Sequence, residues 1–255
     1  MKPPVFVVSP DELARAGAGS RVRVTGTEAR HAVTVMRLSP GQVVQLVDGQ
    51  GGRAAGTVLA SADRRAMAVE VTAVLREDAP SLRLTAVQAL AKGERGELAV
   101  QQLTEIGADE IIPWAAAASV VRWRADRAAR SRQRWVDAST AAAKQSRRAR
   151  FPVIAPLAST ADVLARMGTA ALALVLHESA GQPLGGVAVP QQGEVLLVVG
   201  PEGGITPGEL ACFTGAGARA VRLGPNVLRT SSAGMVAAGI ILAASPRWRL
   251  DGVEG

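Results

Sequence analysis

VLLVVGPEGGITPGEL (residues 195–210) and AVRLGPNVLRTSSAGMVAAGIILA (residues 220–243) follow one plan: a buried strand, a glycine-containing break, a helix. Residues 195–199 are an unbroken apolar run rich in β-branched side chains, the pattern of a strand covered on both faces. Gly200-Pro201-Glu202-Gly203-Gly204 ends it. Thr206 reads as an N-cap, Pro207 as the first helical residue and Glu209 as the return half of a capping box, so a helix starts directly after the loop. In the second unit, residues 220–223 are a short strand and Gly224-Pro225 the break. The helix after Thr230-Ser231-Ser232 is mostly Ala, Gly, Val and Ile, small enough to let another backbone approach. Open α/β sheets bind ligands at the carboxyl ends of their strands, where helix N-termini and backbone N–H groups converge. Two successive loops of this kind predict either one shared pocket or two ordinary tight turns in a buried sheet. Neither carries G-x-G-x-x-G or a G-K-S/T ending, which disfavours nicotinamide dinucleotides and nucleoside triphosphates.

Moving outward, residues 170–176 are another buried strand closed by His177-Glu178. That pair is open to two readings, pocket lining with an acid–base capacity or a histidine that merely caps a strand. Residues 82–90 read as a strand, residues 92–96 (KGERG) as a loop, and residues 97–106 as a helix with Leu98, Leu103 and Ile106 on one side and Gly107 as its stop. Residues 111–113 form the next short strand, so a parallel α/β sheet accumulates. Residues 125–144 predict one long helix with Trp135, Ala138 and Ala142 on an apolar stripe.

Ahead of this region lie short β segments at residues 5–8, 21–25, 43–47, 53–59 and 66–75, with turns at residues 39–41 and 48–52. A small β-barrel is the economical fold. A helical pattern at residues 27–38 could turn Ala32, Val35 and Met36 to a core, leaving His31 and Arg37 elsewhere. The polar, proline-containing residues 77–81 are the linker, which divides the chain into a β domain (1–76) and an α/β domain (80–250) with a polar tail after Trp248.

The chain of 255 residues is 48% hydrophobic, enough to fill a core, and no apolar run approaches the roughly 18 residues of a membrane span. The N-terminus has no signal-peptide pattern, and the expected location is the cytoplasm. Cys212, the single cysteine, reads as core filler. With His31 and His177 the only histidines, no Cys/His metal cluster is expected. Residues 122–150 hold ten Lys or Arg against two Asp, a net +8 of the chain's +7, so all other residues together carry −1. Such a segment is either a solvated helix face or the electrostatic footprint of nucleic acid. Tyr is absent and Phe occurs three times, so phosphate contact is favoured over base stacking.

The pairing of VVGPEGG with LGPNVLRTSSA resembles the RsmE family of 16S ribosomal RNA uridine N3-methyltransferases, members of the knotted SPOUT class. The resemblance extends to QALAKGERGELAVQQLTEIGADEIIPW, AAAKQSRRAR and HAVTVMRLSPGQVVQLVDGQG, and so runs nearly end to end. It implies a trefoil-knotted parallel-sheet α/β domain, a PUA-like RNA-binding barrel before it, S-adenosylmethionine as cofactor, no metal, and a homodimer acting on 16S ribosomal RNA or the small ribosomal subunit without contact with membranes. The implied cofactor site takes Leu176, His177 and Glu178 from one strand end. From the first loop it takes Val199, Gly200, Pro201, Glu202, Gly203 and Gly204, and from the second Leu223, Gly224, Pro225, Val227, Leu228 and Thr230. His31 and Arg37 match the family's His-to-Arg helix, Lys92 its K-G-D-R-like loop, and Gln145 and Arg148, with Arg147 between, its Q-S-x-R signature; all are implied RNA contacts. Bottom-up, Lys92 is equally a soluble loop residue, and the arginines after Gln145 equally favour a helix dipole.

Uracil N3 is a poor nucleophile until its proton leaves, so some group must accept the proton or stabilise the imide anion. Arg229 is the candidate catalytic residue for the anion, with phosphate binding as the competing role. Glu202 is either a proton acceptor or a loop residue capping N–H groups. Many family members have Glu-Thr in L-R-x-E-T-A where this chain has Ser231-Ser232, which puts any role for a carboxylate there in doubt; the hydroxyls can still cap the helix. The rival readings are another SPOUT enzyme modifying a ribose 2′-hydroxyl or another base, and a non-catalytic RNA-binding or ribosome-assembly protein.

Overall fold

Alternation of apolar and polar residues at the start of the chain builds a curled mixed sheet in the computed structural model, which describes residues 2–60 and 65–248. Its strands are β1 (Val5–Val7), β2 (Arg21–Val24), β3 (Val43–Val47), β4 (Gly52–Val58) and β5 (Met67–Arg76), in the order β1-β3-β4-β5-β2. β1 runs parallel to β3 and the other pairs are antiparallel, giving a half-barrel that is open between β1 and β2. Phe6, Leu46, Val44 and Val69 fill its core together with Leu13 from the short helix α1 (Pro10–Ala14). α2 (Gly26–Arg30) continues into a π-helical turn at His31–Val35, closed by an N–H of Met36 on the carbonyl of His31 at 2.9 Å. Ala32 is buried as expected, but Val35 and Met36 are 66% and 42% exposed. The turn's extra residue rotates them off the core face that a 3.6-residue period would give them.

The second sheet is entirely parallel. β6 (Leu82–Ala89), β7 (Glu110–Trp114), β8 (Val153–Ile154), β9 (Leu172–Leu176), β10 (Gln182–Pro183), β11 (Gly193–Val199) and β12 (Arg219–Arg222) lie in the order β10-β12-β9-β11-β6-β7-β8. Period-two alternation sends Leu82, Leu84, Val195, Leu197 and Val199 to one face and Val87, Leu196 and Val198 to the other. The first face is covered by α3 (Arg95–Ile106), by Trp135 of α4 (Ala125–Gln145) and by α7 (Thr230–Ala243). The other is covered by α5 (Thr160–Met167) and α6 (Pro207–Gly215). Helices on both faces explain why the strands read as continuous apolar runs. The small residues of α7 accept α3 closely: a Cβ at Gly234 would lie 3.3 Å from Leu103.

Two helical expectations need correction. α3 buries Gly96, Ala99, Val100, Leu103 and Thr104, leaving Leu98 42% exposed. Leu98 and Leu103 are five residues apart, about 140° around a helix, and cannot share a side. Cys212 is exposed, because α6 turns Glu209 and Phe213 inward and Cys212 sits a full 100° from the latter. The tail after Trp248 lies outside the described residues.

By its internal packing the chain divides into two units, Met1–Ala79 with Ala143–Phe151, and Pro80–Ala142 with Pro152–Gly255. The first unit thus includes a segment far from it in sequence. Lys144 donates to both carboxylate oxygens of Glu28 (2.6 and 2.8 Å), Arg53 donates to the carbonyl of Arg147 at 3.0 Å, and Arg150 donates to that of Glu77 at 2.6 Å. No helix among the described residues is long and apolar enough to cross a membrane.

Candidate cofactor and RNA site

β11 occupies the middle of the parallel sheet, between β9 and β6, and its carboxyl end opens into the first glycine loop. Gly204 holds φ +76°, and a Cβ at Gly203 would sit 2.9 Å from the carbonyl oxygen of Ala118. The loop therefore turns and packs as only glycine allows. α6 follows with the expected capping box: Thr206 Oγ1 accepts from the N–H of Glu209 at 3.3 Å, and Glu209 Oε2 accepts from the Thr206 N–H and hydroxyl at 3.2 and 2.7 Å. Glu209 Oε1 accepts from the N–H of Ala117 (2.8 Å) and the hydroxyl of Thr160 (3.2 Å). Burial alone would raise this carboxyl's pKa, but those four donors outweigh it and hold it below the usual value.

β12 leads into the second loop, and α7 starts at Arg229 with no side-chain cap. Ser231-Ser232 do not cap it, because both lie inside the helix. Thr230 instead turns its hydroxyl to the carbonyl of Gly200 at 2.6 Å, joining the two loops. Behind it, Gln88 at the end of β6 donates from Nε2 to Thr230 Oγ1 at 3.0 Å. Gln88 is fully buried and its Oε1 has no hydrogen-bond partner.

Between the loops lies a cavity of about 360 Å³. It gathers Leu176, His177 and Glu178; Val199, Gly200, Pro201, Glu202 and Gly204; and Leu223, Gly224, Pro225, Val227, Leu228, Arg229 and Thr230. Every residue expected at the cofactor site therefore lines it except Gly203, which turns to Ala118 instead. Arg95, Ile205, Arg222, Asn226 and Ala233 line it too and were not singled out in the sequence. Arg229 is exposed at the cavity and makes no ion pair with a described residue. His177 Nδ1 accepts from the Ser179 N–H at 3.3 Å and lies 2.9 Å from the Ser179 hydroxyl.

Glu202 Oε1 accepts from the Lys92 N–H at 3.1 Å and from Arg95 at 3.2 Å. Burial would raise its pKa; hydrogen bonds from its own N–H, Lys92 and Arg95 lower it instead. These are the contacts of a carboxylate that ties loops together, and a depressed pKa makes it a weak base. Lys92 lies beside a neighbouring cavity bounded by residues 92–101, into which Arg95 also reaches. The other expected RNA contacts, His31, Arg37, Gln145, Arg147 and Arg148, all fall in the first unit. Among the described residues there, Arg37 and Arg147 are non-glycine residues with positive φ, +52° and +61°, each just past a helix end, where the chain commonly turns left-handed.

A cavity between two loops at the carboxyl ends of parallel strands is where an open α/β sheet takes a small ligand, and a basic helix on the same chain suits a polyanionic partner. The chain belongs to the RNA methyltransferase family: the model of the RNA methyltransferase domain matches residues 77–242, and that of the RNA methyltransferase PUA domain matches residues 24–71. It is 44% identical over 236 residues to ribosomal RNA small subunit methyltransferase E of Mycobacterium bovis, covering 90% of this chain and 89% of that one. The Bacillus subtilis protein of the same name is 30% identical over 223 residues, 84% and 86% of the two chains. Among solved structures, ribosomal RNA small subunit methyltransferase E of Neisseria gonorrhoeae bound to S-adenosyl methionine superposes with a TM-score of 0.83 at 26% identity, covering 95% of this chain and 98% of that one.

Proposed function

We propose that this chain methylates N3 of a uridine in 16S ribosomal RNA of the small subunit, with S-adenosylmethionine as methyl donor, and that the cavity between the two glycine loops is where the donor binds. The observation that carries this is the cavity's lining, drawn from both loops and from Leu176-His177-Glu178. The residues suit the cofactor. Leu176, Val199, Leu223, Val227 and Leu228 offer apolar wall, backbone groups of the loops offer polar contacts, and a Cβ at Gly224 would meet nothing within 4 Å, so its backbone stands open to a ligand. S-adenosylmethionine supplies an electrophilic methyl group on a sulfonium, which asks the protein for alignment more than for acid or base assistance.

The protein's chemical task lies with the acceptor. As N3–H of uracil releases its proton to solvent, negative charge spreads onto the flanking carbonyl oxygens, and a fixed cation there lowers the barrier. Arg229 supports that role by position. It is the N-cap of α7, so its charge adds to the positive end of the helix dipole at the cavity. In the first unit, His31, Arg37, Gln145, Arg147 and Arg148 engage the RNA. The working unit is a homodimer in the cytoplasm, as the family resemblance implies, and exposed Leu98 and Val236 on α3 and α7 suit a second copy.

Small subunits lacking the modification, incubated with the protein and S-adenosylmethionine and digested to nucleosides, should yield 3-methyluridine by mass spectrometry. A 2′-O-methyl product or no product overturns the assignment. Arg229→Ala should reduce kcat at least about 100-fold while leaving cofactor affinity within a few-fold. Loss of affinity as well would make Arg229 part of the binding wall.

A further inference from the structure

The contact that joins the two loops is backed by a residue outside the cavity lining, Gln88. Gly200 opens the first loop and Thr230 closes the second, and both line the cavity. Their link is a single hydroxyl: Thr230 Oγ1 lies 2.6 Å from the carbonyl oxygen of Gly200, a contact in which the hydroxyl must donate. Having used its one proton, Oγ1 can only accept from Gln88 at 3.0 Å, which sets the Gln88 amide with Nε2 toward Thr230. The same amide donates to the carbonyl of Ala89 at 3.2 Å. Its oxygen is left without a partner in a fully buried position on a central strand, beside the place a Cβ on Gly234 would occupy (3.5 Å). A buried amide oxygen without a donor is unfavourable, and an aliphatic side chain would suit the apolar surroundings of β6 better. The donor side of the amide therefore accounts for glutamine at this position.

We propose that Gln88 is a positioning residue for the cofactor: through Thr230 it holds the start of α7 against Gly200 and fixes the separation of the two loops. The inference rests on the cofactor binding between those loops. Gln88 is not among the residues that line the cavity and reaches it through its hydrogen bond to Thr230.

Calorimetric titration of S-adenosylmethionine into the intact protein tests it. Gln88→Met keeps length and removes the donor, and should weaken cofactor binding about fivefold to tenfold. The KM for RNA should stay unchanged, a split that general loosening of the sheet would not produce. Thr230→Val cuts the same link from the other end, and the double variant should bind no more weakly than Thr230→Val alone, because both changes break one chain of hydrogen bonds. Wild-type affinity in Gln88→Met, or additive losses in the double variant, overturns the proposal. If Gln88→Met does not fold, a cofactor affinity unchanged in Thr230→Val overturns it equally. Gly224→Val serves as the control for the site: should it also bind normally, the placement of the cofactor fails, whereas weakened binding there with none in Gln88→Met leaves the site standing and removes Gln88 alone.

Discussion

α6 and α7 each begin where a glycine loop ends, and their starts are finished in opposite ways. α6 is closed by Thr206 and Glu209, whose carboxylate also holds Ala117 and Thr160. α7 has no side-chain cap, carries an arginine at its N-cap, and spends its first hydroxyl on the other loop. A cation at the positive end of a helix is locally unfavourable. The first loop is thus anchored for stability, and the second is left open toward the cavity with charge that stability alone would not select.

The two loops should therefore respond differently to the same insult. Gly224→Val adds bulk on the cavity side, where nothing lies within 4 Å, and should weaken S-adenosylmethionine binding by about tenfold or more with a melting temperature within about 2 °C of wild type. Gly203→Val drives a Cβ to 2.9 Å from the Ala118 carbonyl and should cost about 1–3 kcal/mol in stability, read by chemical denaturation. Equal effects of both changes on cofactor affinity would erase the distinction.

Much of this was legible in the sequence because it rests on local rules. The capping box at Thr206 and Glu209, the Gly107 stop of α3 with φ +115° and the apolar runs of β9 and β11 each follow from a few neighbouring residues. What was hidden depends on distant contacts. Residues 143–151 join the first unit through pairs such as Lys144 with Glu28, 116 residues apart, which no periodicity announces. The extra residue of the π-helical turn at His31–Val35 upset the assignment of Val35 and Met36. Gln88 did leave a signal, a lone amide in the otherwise strand-like run LRLTAVQAL, but its meaning needed Thr230, 142 residues away.

A smaller effect than the loop changes should separate the anchored helix start by pH. The folded-state pKa of Glu209 lies below its unfolded value, so its contribution to stability is complete above the unfolded carboxylate value and is lost as pH falls through the folded one. Glu209→Gln should lower stability by about 1–3 kcal/mol at pH 7, and its deficit relative to wild type should shrink as pH falls below the ordinary carboxylate range. Denaturation curves across that range check it. A deficit constant with pH would mean that the side chain's shape, not its charge, holds the loop.

The smallest expected effect compares the hydroxyls at the two helix starts directly. Thr206→Ala removes an N-cap oxygen that accepts the Glu209 N–H and donates to the Glu209 carboxylate, a loss of about 1 kcal/mol. Ser232→Ala removes a hydroxyl from a position already inside α7, where no side chain caps the helix, and should change stability by less than about 0.5 kcal/mol. If Ser232→Ala costs as much as Thr206→Ala, α7 is capped after all, and the reading of its start as left open to a ligand loses its support. If only Thr206 matters, the contrast between an anchored loop and an open one holds at the level of single hydrogen bonds.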